Sequence, residues 1–270
     1  MPVSIAFKEI GESGELCHDF EFEISNVDLL ADYIVQIIQA HHEHVFNVIK
    51  GLSDTISPTT VYKTAIQQQI RKFESRNKDE ETMYKVDGLL FQMISWIVLA
   101  KIHKDDNFIM RAPHLQLADH GFDGLAVKLN DQNKIDRIII TEDKCTENDR
   151  KTIREKVFPE FQLLEQAERD FDISSVIGSL LATASIPIDY DSELDVMDYA
   201  KRQYRISITR QKSHNNIKKR IKLFKDYNKI VKGKIDRRHA STIFFEQGER
   251  KFMAELNTLV ITKLKTLVHV

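Results

Sequence analysis

Four consecutive β-branched residues, Ile138-Ile139-Ile140-Thr141, run straight into Glu142-Asp143-Lys144. β-Branched side chains suit a pleated strand better than a helix, so this run predicts a strand that ends in two acids and a lysine. Alternate side chains of a strand share a face, which puts Glu142 and Lys144 together and turns the Asp143 side chain away. Upstream, Leu125, Val127 and Leu129 alternate behind Phe122-Asp123-Gly124 and predict a second strand. The polar stretch Asn130-Asp131-Gln132-Asn133-Lys134 between the two reads as a hairpin loop. Pairing these strands brings Asp123 beside Glu142 and Lys144. Two oxygen ligands and one ammonium are what metal-assisted hydrolysis of a phosphodiester needs.

An acid-x-lysine triplet alone says little, because the chain also contains Asp149-Arg150-Lys151 and Glu249-Arg250-Lys251. The first of these sits at an expected helix start. The second lies in a helical pattern, where positions i and i+2 diverge. Only Glu142-Asp143-Lys144 ends a β-branched run behind a strand that opens with an acid. The plain alternative is a hairpin with solvated charges at its end.

The constellation resembles the PD-(D/E)XK nuclease superfamily. The matching residues are Asp123, then Glu142, Asp143 and Lys144, while Phe122 stands where the family has proline. The resemblance covers residues 80 to 170, about a third of the chain. It implies an α/β fold with a restriction-endonuclease-like core: helix, mixed sheet with the catalytic hairpin, helix. Additional N- and C-terminal helices flank that core here. It further implies Mg²⁺ or Mn²⁺ held by Asp123 and Glu142, with the Asp143 backbone carbonyl as a further ligand. Lys144 would activate water or stabilise developing charge. The family's first helix often supplies a Glu or Gln to the site, which points to Gln92 and, second, to Asp87. Read from the residues alone, Gln92 is equally a core glutamine bonded to backbone, and Asp87 an acid favoured by a helix N-terminus. Within the superfamily the layout is similar to effector nucleases of bacterial anti-phage defence systems of Hachiman or Lamassu type. That likeness implies a protein partner, an ATPase or SMC-like sensor, with homo-oligomerisation as another route to control.

The chain has 270 residues, 42% hydrophobic and 30% charged, which predicts a globular protein with a proper core. Residues 87 to 102 read as a buried helix, interrupted by Gln92, Ser95 and Lys101 and too short to span a membrane. Cys17 and Cys145 are far apart and lack metal-site spacing, and the N-terminus lacks a basic region before an apolar run, so a reduced, cytoplasmic setting is expected. No glycine-rich phosphate loop occurs, which argues against an ATPase.

The net charge of −2 hides an asymmetry. Residues 1 to 60 carry ten acids against two lysines, whereas residues 201 to 240 carry fifteen Lys or Arg against two Asp. Such a surplus suggests a polyanion partner, DNA under the nuclease reading, gripped through its phosphates without sequence information. The candidate contacts are Lys151, Arg154, Arg210, Lys212, Lys218, Lys219, Arg220 and Lys222. The rival readings are a non-catalytic nucleic-acid-binding protein on a nuclease-like scaffold and a helical adaptor.

The chain divides into an N-terminal strand–helix extension, 1–78, and a nuclease-like domain, 79–270, with a basic helical C-terminal part. Strands are expected at Val3–Ile10, Glu15–Ile24, Arg205–Arg210 and Ser241–Phe245, the last two competing for the fourth sheet position. Helices are expected to about Lys50, from Pro58 to Ser75, after Ser192, over Asn216–Lys229, and from Glu249 to Val268. Pro159 predicts a break near Phe158 in the helix that follows Lys144. His41 and His44, near a helix end, read as dipole-favoured histidines rather than as metal ligands.

Overall fold

The computed structural model describes residues 1–11, 15–52, 58–104, 106–117, 121–187 and 190–269. The turn at Gly14, the cap at Ser57 and the side chains of His42 and His44 lie outside the described residues. In chain order the strands are β1 (Val3–Ile10), β2 (Cys17–Ile24), β3 (Phe108–Met110), β4 (Gly124–Leu129), β5 (Ile135–Lys144), β6 (Arg202–Thr209) and β7 (Arg238–Ile243). They form one mixed sheet in the order β1-β2-β7-β6-β5-β4-β3. Strands β2, β7, β6 and β5 run parallel; β1, β4 and β3 pair antiparallel at the two ends.

Helices cover both faces. On one lie α1 (Val27–Leu52), α2 (Pro58–Glu74), α3 (Glu80–Ile102) and α10 (Glu249–His269). Their core joins Leu30, Ile34, Phe73, Phe91, Ile94, Met253 and Leu256 to Val3 and Phe22 of the sheet. On the other lie α4 (Asp149–Thr152), α5 (Phe158–Glu165), α6 (Asp170–Thr183), α7 (Tyr190–Met197), α8 (Ile217–Leu223) and α9 (Tyr227–Ile230). There Val157, Phe161, Ile177 and Phe224 pack on Leu125, Val127, Ile138, Ile140 and Ile206. Ile139 and Ala126 face the opposite way, against Leu99 of α3. This alternation is the period-two pattern of the hairpin carried into three dimensions.

The architecture is thus α/β, a seven-stranded mixed sheet flanked by helices. The N-terminal hairpin, expected within an extension over 1–78, pairs with β7 through His18 and Asp19. The two candidates do not compete: Arg205–Thr209 and Ser241–Ile243 both lie in the sheet, in neighbouring strands, while Arg210, Phe244 and Phe245 fall outside them. Strand β6 begins at Arg202, earlier than the expected Arg205, and all eight of its residues are buried. Arg202 can start it because its guanidinium donates to Asp170 and to the carbonyls of Leu164 and Val196. The break expected near Phe158 is instead a π-helical turn over Ile153–Val157, with Pro159 in the first turn of α5. Widening the turn lets the Phe158 amide reach the Ile153 carbonyl, so the helix passes the proline without ending. Among the described residues α3 alone is long and apolar enough to cross a membrane, and 67% of that window is buried in the protein.

Candidate active site

Register builds the site. Gly124 of β4 stands opposite Thr141 of β5, so Asp123, one residue earlier, stands level with Glu142. A Cβ at Gly124 would lie 3.2 Å from Thr141 Cβ, a tight approach that favours glycine where the two strands close. Lys144 Nζ donates to Asp123 Oδ2 and to Glu142 Oε2, each at 2.7 Å. The amide of Asp143 donates to Asp123 Oδ2 at 2.9 Å. Both carboxylates therefore converge on one ammonium at the mouth of β4 and β5.

The Asp143 side chain turns away from Glu142 and Lys144, as the alternation predicts. Its carboxyl lies on the α3 side, where Ser95 Oγ donates to it at 2.6 Å, so its side chain is no ligand alongside Asp123 and Glu142. Only the main chain of Asp143 faces the site, which follows from the opposite orientation of consecutive strand residues. Ser95 in turn accepts from Arg205 at 2.8 Å, making a buried chain from β6 through α3 to β5. Gln92 supports the site: its Nε2 donates to the Asp123 carbonyl oxygen at 2.5 Å and pins the residue that carries the first acid. Asp87 is elsewhere, held by Arg76 at 2.6 Å and Arg250 at 2.8 Å. Sequence reasoning missed Ser95 and Arg205; the signal available was that Ser95 follows Gln92 by one helical turn.

The site opens into a cleft of about 820 Å³ lined by Glu155, Lys156, Pro159, Glu160, Arg169 and Asp172 besides Asp123, Glu142 and Lys144. The π-turn thus forms part of its wall. Five carboxylates face three cations among these residues, so the cleft is acidic. Arg169 is engaged by Glu160 at 3.3 Å and Asp172 at 3.1 Å and lies over the Phe122 ring. Lys151 and Arg154, expected to border the groove, are not among the lining residues; both are exposed beside Glu155.

Electrostatics follow from burial. Burial pushes Glu142 up to about 7, with Lys144 opposing and Asp123 reinforcing the shift. Burial and the Asp123 carboxylate push Asp143 up to about 8. For Lys144 burial works downward, but Glu142 and Asp123 outweigh it and hold the ammonium above its ordinary value. Burial raises the Cys145 thiol to about 12, which leaves it an inert neighbour of the site.

The basic segment divides by residue type. Arg210 reaches Glu21 and Asn215, and Arg220 reaches Asp19 at 2.7 Å and Glu21 at 3.1 Å. Both arginines are buried, contrary to the expectation that they grip a polyanion. A guanidinium fork satisfies several buried acceptors at once, whereas an ammonium is strongly hydrated, so the arginines go inside and the lysines stay out. Lys212, Lys218, Lys219 and Lys222 are exposed as expected. Part of the basic surplus is thus spent on the acids of β2.

No protein-family model, curated protein or solved structure matches this chain.

Proposed function

We propose that this protein is a metal-dependent nuclease with a PD-(D/E)XK-like site that hydrolyses phosphodiester bonds of DNA. The observation that carries the reading is the convergence of Asp123 Oδ2 and Glu142 Oε2 on Lys144 Nζ, each at 2.7 Å, at the floor of an open cleft. Two carboxylates that converge on one cationic atom form a place where a cation is held, and oxygen-only donors suit Mg²⁺ or Mn²⁺. Asp123, Glu142 and the Asp143 main chain would hold that ion, which supplies Lewis acidity at a phosphoryl oxygen and a more acidic bound water.

The chain's own residues divide the remaining work. Lys144, held protonated by its two carboxylates, is a donor rather than a base and stabilises charge that develops on the phosphoryl oxygens. Gln92 holds Asp123 through its carbonyl, and Ser95 keeps the Asp143 carboxyl away from the cation. The acidity of the cleft favours this reading over a binding protein that grips phosphate at the same place, because five carboxylates repel phosphate until a cation offsets them. The exposed lysines of α8 serve the flanking backbone. As the effector of a bacterial defence system, the protein would work with an ATPase or SMC-like partner that controls its access to DNA.

The test is degradation of plasmid and linear DNA with Mg²⁺, Mn²⁺ or EDTA, comparing the protein with Glu142→Ala and Lys144→Ala. Metal-dependent cleavage lost in both variants supports the reading. Metal-independent cleavage, or cleavage that survives both substitutions, places the activity elsewhere.

A further inference from the structure

Helix α3 carries a glycine in its interior that no contact among the described residues requires. Gly88 is helical, and among the described residues a Cβ built on it meets no atom within 4 Å outside its own helix backbone. Among the described residues no neighbour presses against it, and it does not adopt positive φ. Glycine inside a helix is destabilising relative to alanine, so this position gives up stability without a packing reason.

Gly88 lies in a second hollow, of about 170 Å³, walled by Tyr84, Lys85, Gln92, His114 and Gln116 and ending on Asp123 and Asp143. Asp123 also lines the larger cleft, so both hollows touch the residue that opens the site. Apart from the two aspartates, the residues here differ in kind from those of the acidic cleft. Tyr84 is 41% exposed, with the Arg250 guanidinium 4.5 Å from its ring centre and its hydroxyl donating to Glu80; Lys85 pairs with Glu81 at 2.6 Å on the surface, and His114 Nδ1 lies 3.0 Å from the Gln116 carbonyl oxygen. An exposed aromatic ring beside an arginine and a lysine, whose surface ion pair a phosphate can exchange, is the chemistry that receives a base and its phosphate.

We propose that one strand of the nucleic-acid substrate leaves the main cleft past Asp123 and crosses α3 at Gly88. Its sugar-phosphate backbone rests against the bare helix, Lys85 and His114 meet flanking phosphates, and Tyr84 supports a base. Any side chain at residue 88 would stand in that path. The inference rests on the nuclease reading and adds to it the route and the single-stranded form of the bound segment.

The experiment uses the full chain with Gly88→Ala and Gly88→Leu, both better helix formers than glycine. Melting temperature, Mn²⁺ binding by calorimetry, and anisotropy of a short labelled single-stranded oligonucleotide and its duplex are measured in parallel. The expected result is melting at or above that of the wild type, unchanged Mn²⁺ affinity, and single-strand binding weakened about tenfold or more by leucine. A Gly88→Leu protein that binds the single strand as the wild type does overturns the path. So does a lowered melting temperature in Gly88→Ala, since the glycine would then serve packing. Wild-type protein that holds duplex but not single strand overturns the path and leaves the nuclease reading standing. Wild-type protein that binds Mn²⁺ and oligonucleotide in neither form overturns both.

Discussion

Asp19 of β2 and Arg220 of α8, separated by 201 residues in sequence, meet at 2.7 Å in the interior with almost no solvent exposure on either side chain. Thr242 of β7 adds its hydroxyl to the same carboxylate at 2.9 Å. This contact ties the N-terminal hairpin to the basic segment. Removing one partner leaves the other charged and buried, so Asp19→Ala or Arg220→Ala should destabilise the protein by about 3–5 kcal/mol. Replacing both by apolar residues of similar volume should recover much of the loss. Urea unfolding of the singles and the double measures it; two single losses that simply add in the double would show that the pair does not act as a unit.

Lys144 is the internal counterion of Asp123 and Glu142. Lys144→Ala leaves two carboxylates facing each other and should lower stability in EDTA by about 1–3 kcal/mol. Added Mg²⁺ should then raise the melting temperature of the variant more than that of the wild type, because the ion replaces the missing positive charge. Equal shifts in both proteins would mean that these carboxylates do not hold the cation.

Acid should weaken the fold through His239. Burial, reinforced by His18 nearby, lowers its pKa from 6.5 to about 3. The unfolded chain takes up a proton in that window that the folded chain refuses, so stability is full above pH 6.5 and falls as pH drops toward 3. Between 6.5 and pH 5 the loss is about 2 kcal/mol. His239→Gln should remove that component, seen as a smaller change in unfolding midpoint between pH 7 and pH 5. An unchanged pH dependence in the variant would assign the acid sensitivity to other groups.

The exposed lysines of α8 should act on nucleic acid through charge alone. Changing Lys218, Lys219 and Lys222 to glutamate should weaken DNA binding and flatten the plot of log affinity against log salt by about 1 for each phosphate left without its lysine. Melting temperature should stay close to the wild-type value, since these side chains are exposed. An unaltered salt slope would place the DNA on another face.

Much of the site was legible because its determinants are local. The β-branched run Ile138–Thr141, the alternation of Leu125, Val127 and Leu129, and the polar loop between them specify two paired strands and hence the meeting of Asp123, Glu142 and Lys144. The way Asp143 turns follows from the same period of two. The apolar run of α3 was equally readable as a buried helix.

What the chain determined by itself was therefore periodicity: which segments are strands or helices, and which side chains share a face. What only the tertiary structure decided was partnership across distance. Arg210 and Arg220 look like polyanion contacts until β2 lies beside β7 and brings Asp19 and Glu21 to them. Ser95 looks like an interruption in an apolar helix until α3 packs over β5 and meets Asp143. Pro159 looks like a helix end until packing on the sheet holds the helix through a π-turn. Spacing along a chain encodes faces through fixed backbone geometry, but the pairing of buried charges depends on which faces are pressed together, and that is settled by the packing of the whole.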